Sequence, residues 1–291
     1  MFDKETLRKF EFIRLSSRRA LVGSDVGARR GGKLGGGVEF VDYRDYAQGD
    51  DLRNLDWNVY ARLERPYVKR YRDDSDLPTV ALLDVSKSMA RSRDSRKFEL
   101  AKNIVGALGY VALSGLDSFG VYAFTNRTRS EFPLVRGRER FWELARYLEA
   151  LRPYDGETDL VGATKDVLAR VSKAGLAIIV SDCYDAPGLE LALERLIARR
   201  FEPIVLCPYD EDEIEPQGLG DFIVEDVETG RELSVSIDES VLKRYRRLFQ
   251  EFIERNRRAC LKRGARFYYA RASVALEKLV LEVARDSALG R

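Results

Sequence analysis

A chain of 291 residues with 45% hydrophobic and 34% charged side chains is long enough to bury a substantial core. Fifty basic residues against 48 acidic ones leave a net charge of +2, which is no signature of a general nucleic-acid binder, and histidine is absent. The missing imidazole excludes Ser-His-Asp and Cys-His catalysis, histidine general bases and every histidine metal site.

The predicted elements begin with an amphipathic helix over 6–21, on which Leu7, Phe10, Ile13 and Leu15 recur. A glycine-rich basic segment, Gly27–Gly37, follows. Its Lys33 precedes Leu34, where a phosphate-cradling loop needs Ser or Thr, so it reads as a connector. Residues 38–77 are polar and aromatic, with a strand at Pro66–Tyr71.

From Leu77 onward strands and helices alternate. Thr79–Ser86 is an apolar run suited to a buried parallel strand. A helix over Arg96–Leu116 carries Phe98, Leu100, Ile104, Leu108 and Val111; strands at Phe119–Phe124 and Arg129–Val135 come next. Helices are predicted over Glu139–Leu151, Leu160–Val171 and Leu189–Arg199, interleaved with strands at Leu176–Asp182 and Pro203–Cys207. A hairpin turning near Gly230, a long helix over Ser240–Arg263, a strand at Arg266–Tyr269 and a helix over Val274–Ala284 complete the chain. This order predicts an open α/β sheet with helices on both faces, whose ligand sites form at the carboxyl ends of the strands.

The three cysteines, Cys183, Cys207 and Cys260, show no paired spacing and fit a reducing compartment. No apolar run approaches the roughly 20 residues of a membrane helix, and the charged start MFDKETLRKFEF is unlike a signal peptide. The expectation is a soluble cytoplasmic protein without a membrane span. Charge is distributed in blocks. Residues 1–33 hold nine Lys/Arg against four acids, Tyr209–Glu239 twelve acids against one Arg, and Ser240–Arg271 eleven basic residues against two acids. Such blocks are usually solvated faces.

One motif carries chemistry. Asp84-Val85-Ser86-Lys87-Ser88 stands at the end of the first core strand, where residues two apart can aim three oxygens at one point. Hard oxygens suit Mg²⁺ or Mn²⁺, although Asp and Ser at such a place also serve as helix caps. Thr158, on a loop before a helix, and Asp182, at another strand end, converge on the same edge if the sheet is parallel.

In order and context, Asp84, Ser86, Ser88, Thr158 and Asp182 resemble the metal-ion-dependent adhesion site of von Willebrand factor A (vWA) domains. The resemblance implies a Rossmann-like open, mostly parallel sheet, with Ser86, Ser88 and Thr158 ligating the ion and Asp84 and Asp182 acting largely through water. The preceding segment, with Val38-Glu39-Phe40, Arg44-Asp45-Tyr46, Gly49-Asp50-Asp51-Leu52-Arg53, Leu55-Asp56-Trp57 and Ala61-Arg62, resembles the signature of bacterial proteins classed as domain of unknown function 58. That likeness covers roughly residues 34–235, and many such proteins are encoded beside MoxR-type AAA+ ATPases. The implied layout is an N-terminal helix, connector and family-specific extension over 1–77, a vWA-like domain with an acidic hairpin over 78–239, and a C-terminal helical region over 240–291 packing on that domain. Within the extension, Asp50, Asp51, Arg53, Asp56 and Arg62 are expected to form an ion-pair network that fixes the segment onto the sheet, with Trp57 as its apolar anchor, the alternative being a docking face for a partner.

The expected function is a non-enzymatic, Mg²⁺-dependent protein-binding module. Its metal captures a partner's acidic side chain, and the resemblance implies an adaptor or co-chaperone of a MoxR-type ATPase. Two alternatives stand beside it. A metal-dependent phosphohydrolase would use Asp84 as nucleophile, but Ser86 occupies the place of the second aspartate such enzymes use as acid/base, a contribution of about 10²–10⁴ in rate. Binding of an anionic polymer or membrane surface would use Lys4–Lys33 and the basic helix over Lys243–Arg271, where interleaved exposed aromatics are few and the acidic block can neutralise the charge; no nucleic acid is expected. Cys183, beside Asp182, is expected to be a buried core residue, because no histidine exists to activate it.

Overall fold

The computed structural model describes residues 4–11, 13, 15, 39–46, 55–63, 65–72, 77–90, 96–216, 218–225 and 230–288. They fall into two compact units, one made of residues 1–21 with Leu77–Arg291 and the other of Val22–Asp76.

In the larger unit the elements run α1 (Lys4–Phe10), β3 (Thr79–Asp84), α3 (Arg96–Ser114), β4 (Ser118–Phe124), β5 (Thr128–Arg136), α4 (Phe141–Ala150), α5 (Leu160–Arg170), β6 (Leu176–Val180), α6 (Ala186–Ala198) and β7 (Glu202–Tyr209). Then come the single turn α7 (Glu211–Ile214), the hairpin β8 (Gly220–Glu225) and β9 (Glu232–Ile237), α8 (Glu239–Lys262), β10 (Arg266–Arg271) and α9 (Leu276–Ala288). Six strands form one sheet in the order β10-β7-β6-β3-β4-β5, parallel throughout except for the antiparallel β4–β5 edge pair. The expected open, mostly parallel α/β sheet is what forms.

Alternation along each strand builds two cores. In β3, Ala81 and Leu83 face one side, where α1, α3, α4 and α9 supply residues such as Phe10, Ile104, Leu144 and Val280. Val80 and Leu82 face the other, against Leu160 and Val167 of α5, Leu189 and Leu193 of α6, and Phe249 and Ile253 of α8. Strands covered on both faces need apolar residues at every position, which explains unbroken runs such as LAIIV. Side-chain caps start three of the helices: Asp159 accepts from the Gly162 N–H (2.8 Å), Asp185 from Gly188 (3.0 Å) and Asp238 from Val241 (2.8 Å).

The predicted first helix is shorter than its apolar pattern suggested. α1 stops at Phe10, yet Ile13 and Leu15 are buried beyond it. Residues two apart lie on nearly opposite sides of a helix, so the burial of both does not follow a helical stripe. The rest of that helix and the glycine-rich connector lie outside the described residues.

In the smaller unit β1 (Glu39–Asp45) pairs antiparallel with β2 (Tyr67–Arg72), and α2 (Trp57–Leu63) lies between them in sequence. Asp56 turns inward and accepts from the Val59 N–H (3.2 Å) at the start of α2. Trp57, expected as the apolar anchor, is instead 62% exposed, edge-on to Tyr60; Leu55 and Val68 are the buried apolar pair, joined by a β-bridge. Once Asp56 caps the helix, the following side chain is rotated about 100° around the axis, away from the buried side. Asp50, Asp51 and Arg53 lie outside the described residues.

Candidate metal centre

The chain leaves β3 toward β4 on one side and reaches β6 on the other, so the carboxyl ends of β3 and β6 adjoin at a topological switch point. Asp84 is the last residue of β3 and is fully buried. Its Oδ1 accepts from the Ser86 N–H (2.9 Å), which folds the loop back over the strand end. Its Oδ2 accepts from the Ser181 hydroxyl (2.7 Å), which joins the β3 and β6 ends. Ser86 Oγ lies 2.9 Å from Ser88 Oγ, so two hydroxyls from the loop meet.

Thr158 reaches this edge through a braced loop. The Tyr154 N–H donates to the Val85 carbonyl (2.7 Å), the Asp159 N–H to the Thr125 carbonyl (2.9 Å), and Arg129 Nη2 to the Asp155 carbonyl (3.0 Å). Asp159, rather than Thr158, caps α5, so the Thr158 hydroxyl is not consumed as a helix cap. Asp182 follows β6 in a loop pinned by several bonds. Tyr209 Oη donates to the Asp182 carbonyl, Asn256 Nδ2 to the Cys183 carbonyl (3.3 Å), and the Cys183 N–H to Ser181 Oγ (3.1 Å). Cys183 itself takes a left-handed φ of 56°.

Ser88, Thr158 and Asp182 line one cavity of about 850 Å³, with Ser181, Tyr184, Glu213 and the hairpin residues Val224, Glu225, Arg231, Glu232 and Leu233. Asp84 and Ser86 lie wholly buried beside Ser181 and Ser88. All five residues singled out in the sequence therefore gather at one end of the sheet, three on the cavity wall and two behind it.

Three participants had not been singled out. Lys97, in the first turn of α3, is 1% exposed in its side chain and donates to Asp182 Oδ2 (3.0 Å), Glu213 Oε1 (2.7 Å) and the Ser88 carbonyl (3.2 Å). Burial works against its charge, but Asp182 and Glu213 outweigh it and hold the ammonium above its ordinary pKa. Ser181 and Glu213 are the others. A signal for Lys97 existed: it continues the buried stripe of Ala101, Ile104, Leu108 and Val111, where a charge has no reason to be without a partner.

The donor set suits a hard dication. Among the described residues no group of three Cys, Asp or Glu side chains could hold a metal, so an ion here must rest on hydroxyls together with isolated carboxylates. Burial first, and the charge of Asp182 second, push the Asp84 carboxyl up to about 7, a penalty that a neighbouring cation would relieve. Cys183, Cys207 and Cys260 are buried free thiols. The Cys183 thiol is pushed up by its hydrogen bond with Cys207, 3.2 Å away, and by burial, which suits a packing role. Part of the basic charge is paired internally: Arg263 bonds Glu190 (2.6 Å) and Glu194 (2.8 Å), and Arg271 bonds Glu211 (3.3 Å).

An open, mostly parallel α/β sheet with an oxygen-lined edge thus defines the class of protein to which the larger unit belongs. The chain belongs to the family described as "Protein of unknown function DUF58", which matches residues 42–258. It is 26% identical over 239 residues to the uncharacterized protein Rv1480 of Mycobacterium tuberculosis, covering 81% of this chain and 75% of that one. Among solved structures it is similar to the conserved hypothetical protein BatB from Bacteroides thetaiotaomicron (18% identity, 73% of this chain and 99% of that one, TM-score 0.47). It is also similar to proximal thread matrix protein 1 from the mussel byssus, in a structure with a zinc-occupied adhesion-site motif (16% identity, 73% and 48%, TM-score 0.44). A third is the von Willebrand factor domain of the pili tip protein Mfa5 from Porphyromonas gingivalis (11% identity, 74% and 96%, TM-score 0.39). No helix among the described residues is long and apolar enough to cross a membrane.

Proposed function

We propose that this protein is a non-enzymatic, metal-dependent protein-binding module. Ser86, Ser88 and Thr158 hold Mg²⁺ or Mn²⁺ through their hydroxyls, and Asp84 and Asp182 act through water. A dication held mainly by neutral hydroxyls supplies a Lewis-acidic position that an outside carboxylate can occupy. Asp84 fixes the Ser86 backbone, Ser181 joins the two strand ends, and the 154–159 loop carries Thr158 to the cavity. The partner is a protein offering an acidic side chain, a MoxR-type AAA+ ATPase or its substrate, met in the cytoplasm.

The observation that carries this reading is the meeting of the Ser86 and Ser88 hydroxyls, 2.9 Å apart, beside a cavity also lined by Thr158 and Asp182. A phosphohydrolase is less well supported. Both Asp84 oxygens accept hydrogen bonds inside the fold, and Asp84 is absent from the cavity wall where a nucleophile would meet substrate.

The test has two arms. Calorimetric titration of the purified full chain with Mn²⁺ is expected to show one site that Ser86→Ala with Ser88→Ala removes. Association with a purified MoxR-type ATPase is expected to need Mg²⁺ and to be lost with EDTA or in Asp84→Ala. No ion bound by the wild type at millimolar supply refutes the metal; association indifferent to EDTA and to Asp84→Ala refutes the bridging role.

A further inference from the structure

Three acidic side chains of this edge already have partners inside the fold. Asp84 Oδ1 and Oδ2 accept from Ser86 and Ser181. Glu213 Oε1 accepts from Lys97 and from the Tyr184 hydroxyl (3.2 Å), while its Oε2 accepts from the Asp210 N–H (2.8 Å). Asp182 Oδ2 is held by Lys97. Of the carboxylate oxygens on these three residues, Asp182 Oδ1 alone accepts no hydrogen bond among the described residues.

An ammonium has three protons, and Lys97 places one on each of three acceptors: Asp182, Glu213 and the Ser88 carbonyl. Two of these belong to the segments that supply the candidate ligands. The rings of Tyr184 and Tyr209, each centred 5.5 Å from the ammonium, wall it in. A positive charge is thus held against Asp182 and Glu213, two carboxylates that line the same cavity as Ser88 and Thr158.

We infer that Lys97 is a positioning residue that ties up the site's own carboxylates, so that an ion on Ser86, Ser88 and Thr158 keeps its charge for an outside acid. The inference rests on the proposed metal reading and adds a prediction that reading does not make: ion affinity and carboxylate affinity are opposed through Lys97. With the ammonium removed, Asp182 and Glu213 become available to the ion, which is then held more tightly and attracts an external acid less.

The experiment uses the full chain, Mn²⁺ followed by calorimetry and by its electron paramagnetic resonance signal, and N-acetyl-aspartate amide as the carboxylate probe at saturating Mn²⁺. Lys97→Met is expected to tighten Mn²⁺ binding about tenfold, since a neighbouring like charge is removed from a partly desolvated site, and to weaken the probe by a similar factor. Glu213→Gln keeps an amide oxygen for Lys97 and Tyr184 but deletes one negative charge. It is expected to move both affinities the other way, and it decides alone if Lys97→Met fails to fold. A purely structural lysine predicts that Lys97→Met weakens both ligands together. That result, or Glu213→Gln leaving Mn²⁺ affinity unchanged, overturns the inference. A wild type that binds no Mn²⁺ refutes the metal reading itself, a separate outcome.

Discussion

The same chemical deletion at two serines isolates the hydrogen bond that joins the strand ends. Ser181 is 2% exposed; its hydroxyl donates to Asp84 Oδ2 at 2.7 Å and accepts from the Cys183 N–H at 3.1 Å. Ser181→Ala leaves one buried carboxylate oxygen and one buried N–H without partners. A hydrogen bond to a charged group contributes about 1.5–3 kcal/mol, so the expected cost is about 2–3 kcal/mol at pH 8. Ser114, the last residue of α3, has a buried hydroxyl with no partner among the described residues. There Ala loses no hydrogen bond and gains up to about 0.5 kcal/mol of helix propensity, so Ser114→Ala is expected to be neutral or slightly stabilising. Urea unfolding in EDTA, followed by far-ultraviolet circular dichroism, compares the two variants directly. At about 2–4 °C per kcal/mol for a domain of this size, Ser181→Ala should also melt roughly 5–10 °C lower. A difference below about 0.5 kcal/mol between the variants refutes the view that the Asp84–Ser181 bond fastens β3 to β6.

Three further outcomes are expected. With metal chelated, the Asp84 carboxyl (about 7 when folded, 3.8 ordinarily) binds its proton more tightly in the native state, so the stability it contributes is full below pH 4 and is lost as pH rises through 7; between pH 5 and 7 the decline reaches up to about 1.4 kcal/mol per unit, and Asp84→Asn should remove that component of a pH series of denaturation curves. Mg²⁺ at about a hundred times its dissociation constant should add about 2.7 kcal/mol of stability, seen as a raised melting temperature that EDTA reverses and Ser86→Ala with Ser88→Ala abolishes; no rise in the wild type counts against the site. Gly175→Ala places a Cβ 1.9 Å from the Pro78 carbonyl oxygen, which already accepts the Leu176 N–H, and should cost about 1–3 kcal/mol in thermal melts; an unchanged midpoint would show that the β3–β6 entry can yield.

Much of the sheet was legible because strands buried on both faces must be apolar at every position, and LAIIV or TVALLD admits few other readings. The convergence of Asp84 and Asp182 followed from parallel topology, since parallel strands bring their carboxyl ends to one edge, whereas Thr158 is carried there by the hydrogen-bonded 154–159 loop. Lys97 escaped for a different reason. Its carboxylate partners lie 85 and 116 residues away, so the helical stripe that marks it as buried gives no sign of which acids it meets. Ser181 was hidden by its neighbour, because the dipeptide Ser181-Asp182 points to the carboxylate and gives no sign that the hydroxyl spans to the next strand. The early end of α1 was misread because Ile13 and Leu15 satisfy an apolar tally without keeping helical spacing.

The β8–β9 hairpin, joined among the described residues to no third strand, carries backbone edges of the kind on which identical chains zip together. Its last register pair sets Glu225 directly opposite Glu232, and Asp221 stands further down the same ribbon. Like charges face to face loosen the ribbon a little, yet they also make any approaching copy meet its own repulsion. Repulsion of this kind between two copies is screened by salt, so edge-to-edge pairing of the ribbon is least opposed at high ionic strength.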